Sequence, residues 1–251
     1  MNILNYIQEK RKEKPLHFTL LDPDKREPEK NGEIAALAAK FGSDAIMVGG
    51  SNGDVYGERL NKTVKLVKEK SRLPVILFPN SAQQLSPEAD ALFFMSLFNS
   101  RNPQYIIGEQ AKGSLLVDKY KLEPLSMAYL IVESGAMTAA ANVGDVRPIP
   151  RDKPEFALGY ALAAKYFGMR FIYLEAGSGA KHSVPKEMIA MVKKSLGQDM
   201  LLIVGGGIRD PETAREKVAA GADIIVTGTI AEDDQDALEK IIKAVKVPKD
   251  L

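Results

Sequence analysis

A glutamate closes an otherwise apolar run, Phe171-Ile-Tyr-Leu-Glu175, and Ala176-Gly-Ser-Gly179 follows at once. A carboxylate in that position can accept a proton from a bound hydroxyl, and the glycines beside it leave room for the ligand. The competing reading is a buried acid paired with Lys or Arg. Two glycine-bearing segments lie further on. Val204-Gly-Gly-Gly-Ile-Arg209 leads straight into Asp210-Pro211, and Gly228-Thr229 closes the run Ile224–Thr227. Glycines let backbone approach an anion, and free N–H groups at a helix start point toward it, so both segments read as phosphate-binding loops; tight turns alone are the alternative. Near the other end, Asp22-Pro-Asp-Lys25 and Gly49-Gly-Ser51 each follow an apolar run. The carboxylate of Asp22 and the hydroxyl of Ser51, completed by waters and phosphate oxygens, suit Mg²⁺, which rarely has an all-protein cage. Turn caps are the alternative. Asp24 and Lys25 read as turn and surface charges, His17 as structural, and His182 as a solvated loop residue.

Composition removes several other chemistries. Cys is absent, which excludes disulfides, thiolate metal sites and Cys nucleophiles. Two His cannot build a three-His zinc site. Lys+Arg at 34 against Asp+Glu at 33 leaves no general electrostatic reason to bind nucleic acid. No apolar run approaches the ~18 residues of a membrane span. The first fifteen residues hold no apolar core of signal-peptide length. A soluble, cytoplasmic protein is the expectation. Neither a G-x-G-x-x-G nor a G-x-x-x-x-G-K-[ST] motif is present.

These residues need a frame that brings them together. Eight short apolar runs punctuate the chain: His17–Leu21, Ala45–Val48, Val75–Phe78, Ala91–Met95, Met127–Val132, Phe171–Leu174, Leu201–Val204 and Ile224–Thr227. Most do not alternate with polar residues, which suits parallel strands buried on both faces. Helical periodicity follows over Glu29–Lys40, Glu58–Lys70, Pro103–Asp118, Glu155–Phe167, Pro185–Leu196, Pro211–Ala220 and Asp234–Val245. After Phe78 the spacing leaves no room for a full helix. Pro154, Pro185 and Pro211 sit at helix starts, Asp210 reads as an N-cap, and Gly42, Gly168, Gly197 and Gly221 follow helices. The pattern predicts one (β/α)₈ TIM barrel spanning residues 1–251, with phosphate-binding loops after its seventh and eighth strands. An open doubly wound sheet would carry its glycine loop after the first strand, and none is there. Phe41-Gly-Ser-Asp-Ala-Ile-Met-Val-Gly-Gly50 echoes Ala220-Gly-Ala-Asp-Ile-Ile-Val-Thr-Gly-Thr229. The longest irregular stretch, Ser134–Lys153, follows the fifth run and reads as a lid or mobile loop.

The assembled motifs resemble one family, the geranylgeranylglyceryl phosphate synthases with their heptaprenylglyceryl phosphate relatives. The pieces that carry the resemblance are Asp22-Pro-Asp-Lys25, Val48-Gly-Gly-Ser51, Pro148-Ile-Pro150, Tyr173-Leu-Glu-Ala-Gly-Ser-Gly179 and Val204-Gly-Gly-Gly-Ile-Arg209. The resemblance implies a prenyltransferase that joins a polyprenyl diphosphate to the primary hydroxyl of sn-glycerol 1-phosphate. The product would be the first ether of archaeal-type membrane lipids. It further implies that Asp22 and Ser51 hold Mg²⁺ on the diphosphate. Tyr173, Leu174, Glu175, Ala176, Gly177, Ser178 and Gly179 would hold glycerol phosphate, with Glu175 and Tyr173 the catalytic pair and Glu175 receiving the hydroxyl proton. Gly205, Gly206, Gly228 and Thr229 would bind its phosphate, and Gly207 could share that role. Some members carry Lys where this chain has Leu20; the apolar subgroup tends toward larger oligomers, so a homo-oligomer is expected. The resemblance favours a C20 over a C35 donor. The prenyl tail is expected in an apolar groove under the loop after the fifth strand, with transient membrane contact. A sugar-phosphate isomerase on the same barrel and a non-catalytic phosphometabolite-binding protein are the rivals.

Overall fold

Eight parallel strands close on one another in chain order: β1 Leu16–Leu21, β2 Ala45–Val48, β3 Val75–Leu77, β4 Ala91–Leu97, β5 Glu123–Ile131, β6 Phe171–Glu175, β7 Leu201–Gly205 and β8 Ile224–Thr227, with β8 pairing back onto β1. This computed structural model describes residues 2–50, 54–135 and 138–246. The α-helices are α1 Ile3–Glu13, α2 Pro28–Phe41, α3 Gly57–Ser71, α4 Glu109–Tyr120, α5 Ala139–Val143, α6 Pro154–Tyr166, α7 Lys186–Leu196, α8 Pro211–Ala220, α9 Thr229–Asp233 and α10 Gln235–Val245, and a π-helical turn Gln104–Gly108 leads into α4. The expected barrel is present, and each of the eight apolar runs holds a strand.

Both faces of the barrel wall are buried, which is why the strands read as unbroken apolar runs. Inward positions such as Phe18, Met47, Phe93, Met127, Phe171 and Ile203 fill the barrel. Outward positions such as Ile172, Leu174, Leu202 and Val204 pack under the helices. Alternation along β6 therefore sends Tyr173 and Glu175 inward and Leu174 outward.

α1 has no counterpart in the sequence expectation, because its many polar residues hide a narrow apolar stripe. Ile3 and Ile7, one turn apart, are fully buried in the floor of the barrel. Glu123 at the start of β5 accepts from the N–H groups of Ile3 at 2.6 Å and Leu4 at 2.9 Å, which satisfies two otherwise orphaned helix donors.

The internal sequence echo has a physical role at the same end. Asp44 accepts from His17 N at 2.9 Å, and Asp223 accepts from Leu202 N at 2.8 Å. Each carboxylate precedes its own strand and ties down the start of a neighbouring one. Asp90 does the same for Val75 N at 2.9 Å. Asp223, 1% exposed, also pairs with Arg11 at 2.7 Å and Lys193 at 2.5 Å. Asp223→Ala would strand both cations and a buried N–H, so a loss of about 3 kcal/mol is expected from the denaturant midpoint. A loss under about 0.5 kcal/mol would mean that water replaces the carboxylate without cost. His17 is structural too: fully buried between Ser43 and Thr227, it has its pKa pushed down to about 3 by burial and by Lys246.

Two departures from the regular β/α alternation shape the site. After β3 the chain runs through turns to β4 with no helix, and the outward residue Phe94 of β4 stays only partly buried, while Leu92 is packed in a core cluster. The described part of the Ser134–Lys153 stretch is partly ordered: it carries α5 and returns along the barrel rim through bridges Val132↔Ile149 and Ser100↔Val146. Asn99 fastens that return, donating to Ile131 O at 2.9 Å and Arg147 O at 3.0 Å.

Candidate active site

A cavity of about 520 Å³ opens at the C-terminal ends of the strands. Glu175 lies at its polar end. β6 pairs Glu175 level with Gly205 of β7, which presses the side chain against the next strand. The carboxylate accepts from Gly177 N at 2.5 Å and from the Tyr173 hydroxyl. Burial raises its pKa, and these two hydrogen bonds offset part of that rise. Burial and the Glu175 charge raise the pKa of Tyr173 well above the ordinary tyrosine value, so its hydroxyl stays a donor.

Glycine is required where loops six and seven meet. A Cβ on Gly205 would lie 2.3 Å from the Tyr173 hydroxyl. Gly206 has φ +79°, and a Cβ there would lie 2.4 Å from Glu175 Oε1 and 2.5 Å from Gly177 N. Gly206, Gly207, Gly228 and Thr229 line the cavity with Gly177, Ser178 and Gly179. Ser178 Oγ and Thr229 Oγ1 are 3.1 Å apart and join loop six to the start of α9. Arg209 clasps loop six from the other side, donating to Gly179 O at 2.9 Å and Ala180 O at 3.0 Å.

Across the mouth stands Asp22. Its Oδ1 accepts from Asp24 N at 3.0 Å, and its Oδ2 is 3.9 Å from Lys25 Nζ. A Cβ on Gly50 would lie 2.3 Å from Asp22 Oδ1, so only glycine lets the second strand's loop approach that carboxylate. Asp24 is a turn residue, as its spacing suggests: it accepts from Val55 N at 2.7 Å. Lys25, read from sequence as a surface charge, lines the cavity.

The rest of the cavity is apolar. Phe78, Tyr129 and Tyr173 form an aromatic wall with ring centroids 5.2–5.8 Å apart. Beyond it a groove passes Phe94, Met95 and Leu97 of β4 and reaches Gly113 and Val117 of α4. Ala140 and Val143 of α5 also border it, so the loop after β5 contributes a side of the groove. The groove exists because no helix covers β4 after β3.

A family model described as the PcrB family matches residues 7–247. The chain belongs to the PcrB family. A geranylgeranylglyceryl phosphate synthase of Thermococcus gammatolerans is 58% identical over 227 residues, 90% of this chain and 88% of that relative. One of Thermococcus kodakarensis is 54% identical over 247 residues and covers 96% of each chain. The solved structure of (S)-3-O-geranylgeranylglyceryl phosphate synthase from Thermoplasma acidophilum, in complex with sn-glycerol-1-phosphate, matches with a TM-score of 0.93. It is 42% identical and covers 98% of this chain and 99% of its own.

In this PcrB-family chain the structure gathers Asp22, Tyr173, Glu175, Gly177, Ser178, Gly179, Gly206, Gly228 and Thr229 around one cavity. Three other expected contacts are not on its wall. Leu174 and Ala176 are fully buried among the helices, because alternation turns them outward. Gly205 lies beneath the Tyr173 hydroxyl and gives its carbonyl to Ala176 N, so Gly207 replaces it on the cavity wall. Ser51 lies outside the described residues. Tyr129 and Arg209 escaped the sequence reading. Tyr129 is level with Tyr173 in the β5–β6 register, a signal visible once those two runs are paired.

The donor set also limits the kind of metal. No group of three or more His, Asp or Glu that could hold an ion occurs among the described residues. Asp22, a carboxylate at the mouth of the cavity, fits a hard cation that takes the remainder of its oxygens from ligand and water.

Proposed function

We propose that this chain transfers a geranylgeranyl group from its diphosphate to the primary hydroxyl of sn-glycerol 1-phosphate, releasing diphosphate. The observation that carries this reading is Glu175, a buried carboxylate of raised pKa held where a glycine-lined polar pocket meets a long apolar groove. The pocket suits a small phosphorylated alcohol, and the groove suits a prenyl chain. Relatives named for this synthase and the neighbour whose structure holds sn-glycerol-1-phosphate support the same assignment.

In this reading Gly206, Gly207, Gly228 and Thr229 hold the glycerol phosphate by its phosphate, with backbone N–H groups as donors. Ser178 exchanges its bond with Thr229 for one to the ligand. The hydroxyl to be alkylated then faces Glu175. The allylic C–O bond to diphosphate breaks, the glycerol oxygen bonds to that carbon, and its proton passes to Glu175. Tyr173 keeps the carboxylate oriented by donating to it. Positioning supplies much of the acceleration, because the allylic carbon is already becoming cationic as the leaving group departs. Asp22, with Ser51, would hold Mg²⁺, which when bound neutralises charge developing on the departing diphosphate.

The test is extraction of radiolabel into organic solvent from labelled sn-glycerol 1-phosphate and geranylgeranyl diphosphate. Farnesyl and heptaprenyl diphosphates and sn-glycerol 3-phosphate serve as controls. Label transferred best with the C20 donor is the expected result; no transfer with any donor would overturn the reading. Chelation by EDTA should lower turnover at least about 100-fold, with recovery on adding Mg²⁺. Full activity in EDTA would remove Asp22 from metal binding.

The same proposal includes a cytoplasmic enzyme that forms homo-oligomers and touches membranes transiently to collect its water-insoluble donor. No helix among the described residues is long and apolar enough to cross a membrane. Tyr166 and Phe167, 81% and 77% exposed, are a candidate self-association patch, to be checked by light scattering.

A further inference from the structure

Beside the catalytic cavity lies a second, open depression of about 470 Å³. Gly207 and Arg209 border both spaces. The wall between them is thin: a Cβ on Gly207 would lie 2.9 Å from Ser183 N.

Unbalanced charge distinguishes this depression. Arg151 reaches into it while donating to Glu133 O at 3.2 Å and Ser183 O at 2.7 Å. Arg209 likewise donates only to carbonyls, those of Gly179 and Ala180. These four partners are neutral, and neither guanidinium forms an ion pair among the described residues. Lys181 and Lys186 are exposed and form no hydrogen bond or ion pair among the described residues.

The acids on the same walls are mostly committed elsewhere. Asp210 caps α8 through Thr213 N at 2.7 Å, and Glu216 pairs with Lys217. The lining carries five cations, Arg151, Lys181, Lys186, Arg209 and Lys217, against the three acids Glu187, Asp210 and Glu216, a net positive charge. α7 also begins at this wall, on Pro185 and without a side-chain cap, so the positive end of its dipole adds to the field. Cations gathered on one depression favour an anion between them, and guanidinium forks match phosphate oxygens in particular. The proposed reaction uses none of Arg151, Lys181 or Lys186.

We propose that this depression is a second binding site, for a phosphate dianion, separate from the phosphate loops of the catalytic cavity. The ligand chemistry is a phosphomonoester, whether on a soluble metabolite or on a lipid headgroup. The site stands independently of the prenyl-transfer reading.

Equilibrium dialysis against labelled inorganic phosphate, without any competing phosphomonoester, counts the phosphate sites directly. Wild-type protein should bind two phosphates per chain, one in the catalytic pocket and one in this depression. The double variant Lys181→Glu with Lys186→Glu should bind the latter at least tenfold more weakly while melting at the wild-type temperature. The catalytic class of phosphate site is the internal control, because the variant should lose only the other.

Sedimentation with phosphatidylcholine vesicles, with and without phosphatidic acid, identifies the source. Binding to phosphatidic acid vesicles that the variant loses supports the site with a lipid phosphate. Free phosphate binding without sedimentation supports it with a soluble one. Equal binding by wild type and variant, or no binding in either arm, overturns the proposal.

Discussion

Glu175→Gln lowers kcat by about 10²- to 10⁴-fold and leaves the KM for glycerol phosphate within a few-fold of wild type. Gln keeps the shape of the side chain and an oxygen to accept from Gly177 N, so the pocket keeps its form. It has no basicity to offer the glycerol hydroxyl. The pH profile gives a second readout. Burial raises the carboxylate pKa, so the base form fills only as pH rises through that raised value. The acid limb of kcat/KM should therefore lie at higher pH than for an ordinary glutamate, and the variant should lose that limb.

Stability moves the other way. A group whose pKa is raised on folding favours the fold below its unfolded pKa, and that contribution is lost as pH climbs through the folded value. At pH values above its raised folded pKa, ionised Glu175 is a liability, and there the Gln variant should melt at or above the wild-type temperature. Unchanged turnover in a correctly folded variant would remove Glu175 from the chemistry.

Gly206→Ala carries the second large effect. With φ at +79°, an alanine there takes on the strain of the left-handed region, about 1–2 kcal/mol. Its methyl would also lie 2.4 Å from Glu175 Oε1 and 2.8 Å from Ala176 N, so loop six or the carboxylate must shift. Both belong to the proposed site. The expected outcome is a KM for glycerol phosphate at least about tenfold higher, together with a fall in kcat, because a misplacement near 1 Å can cost roughly 100-fold. Gly159→Ala is the control. It lies in the exposed middle of α6, a Cβ there meets nothing within 4 Å, and helix propensity predicts a gain of about 0.5–1 kcal/mol with unchanged kinetics. If Gly206→Ala behaves like Gly159→Ala, loop seven does not shape the ligand pocket.

The amino-acid order alone determined the barrel and where its loops could bind phosphate. Parallel strands buried on both faces must be continuously apolar, and helix ends need Pro, Asp and Gly at particular positions, so Leu201–Gly205 and Asp210-Pro211 announce themselves locally. Asp22, Glu175 and the glycines near residues 206 and 228 were legible for the same reason: each stands at a strand's end. Tertiary structure decided the rest. Which of residues 173–179 reach the cavity depends on strand alternation and on the closure that sets Glu175 against Gly205. Tyr129 joins the site only through the β5–β6 register. The missing helix after β3 was legible in the spacing, but the groove takes its sides only from α4 and α5, and the floor comes from Ile3 and Ile7 held by Glu123, which accepts from N–H groups 120 and 119 residues away. Local patterns record how each segment buries itself. Contacts between segments distant in sequence depend on how the barrel closes, and no single segment encodes that closure.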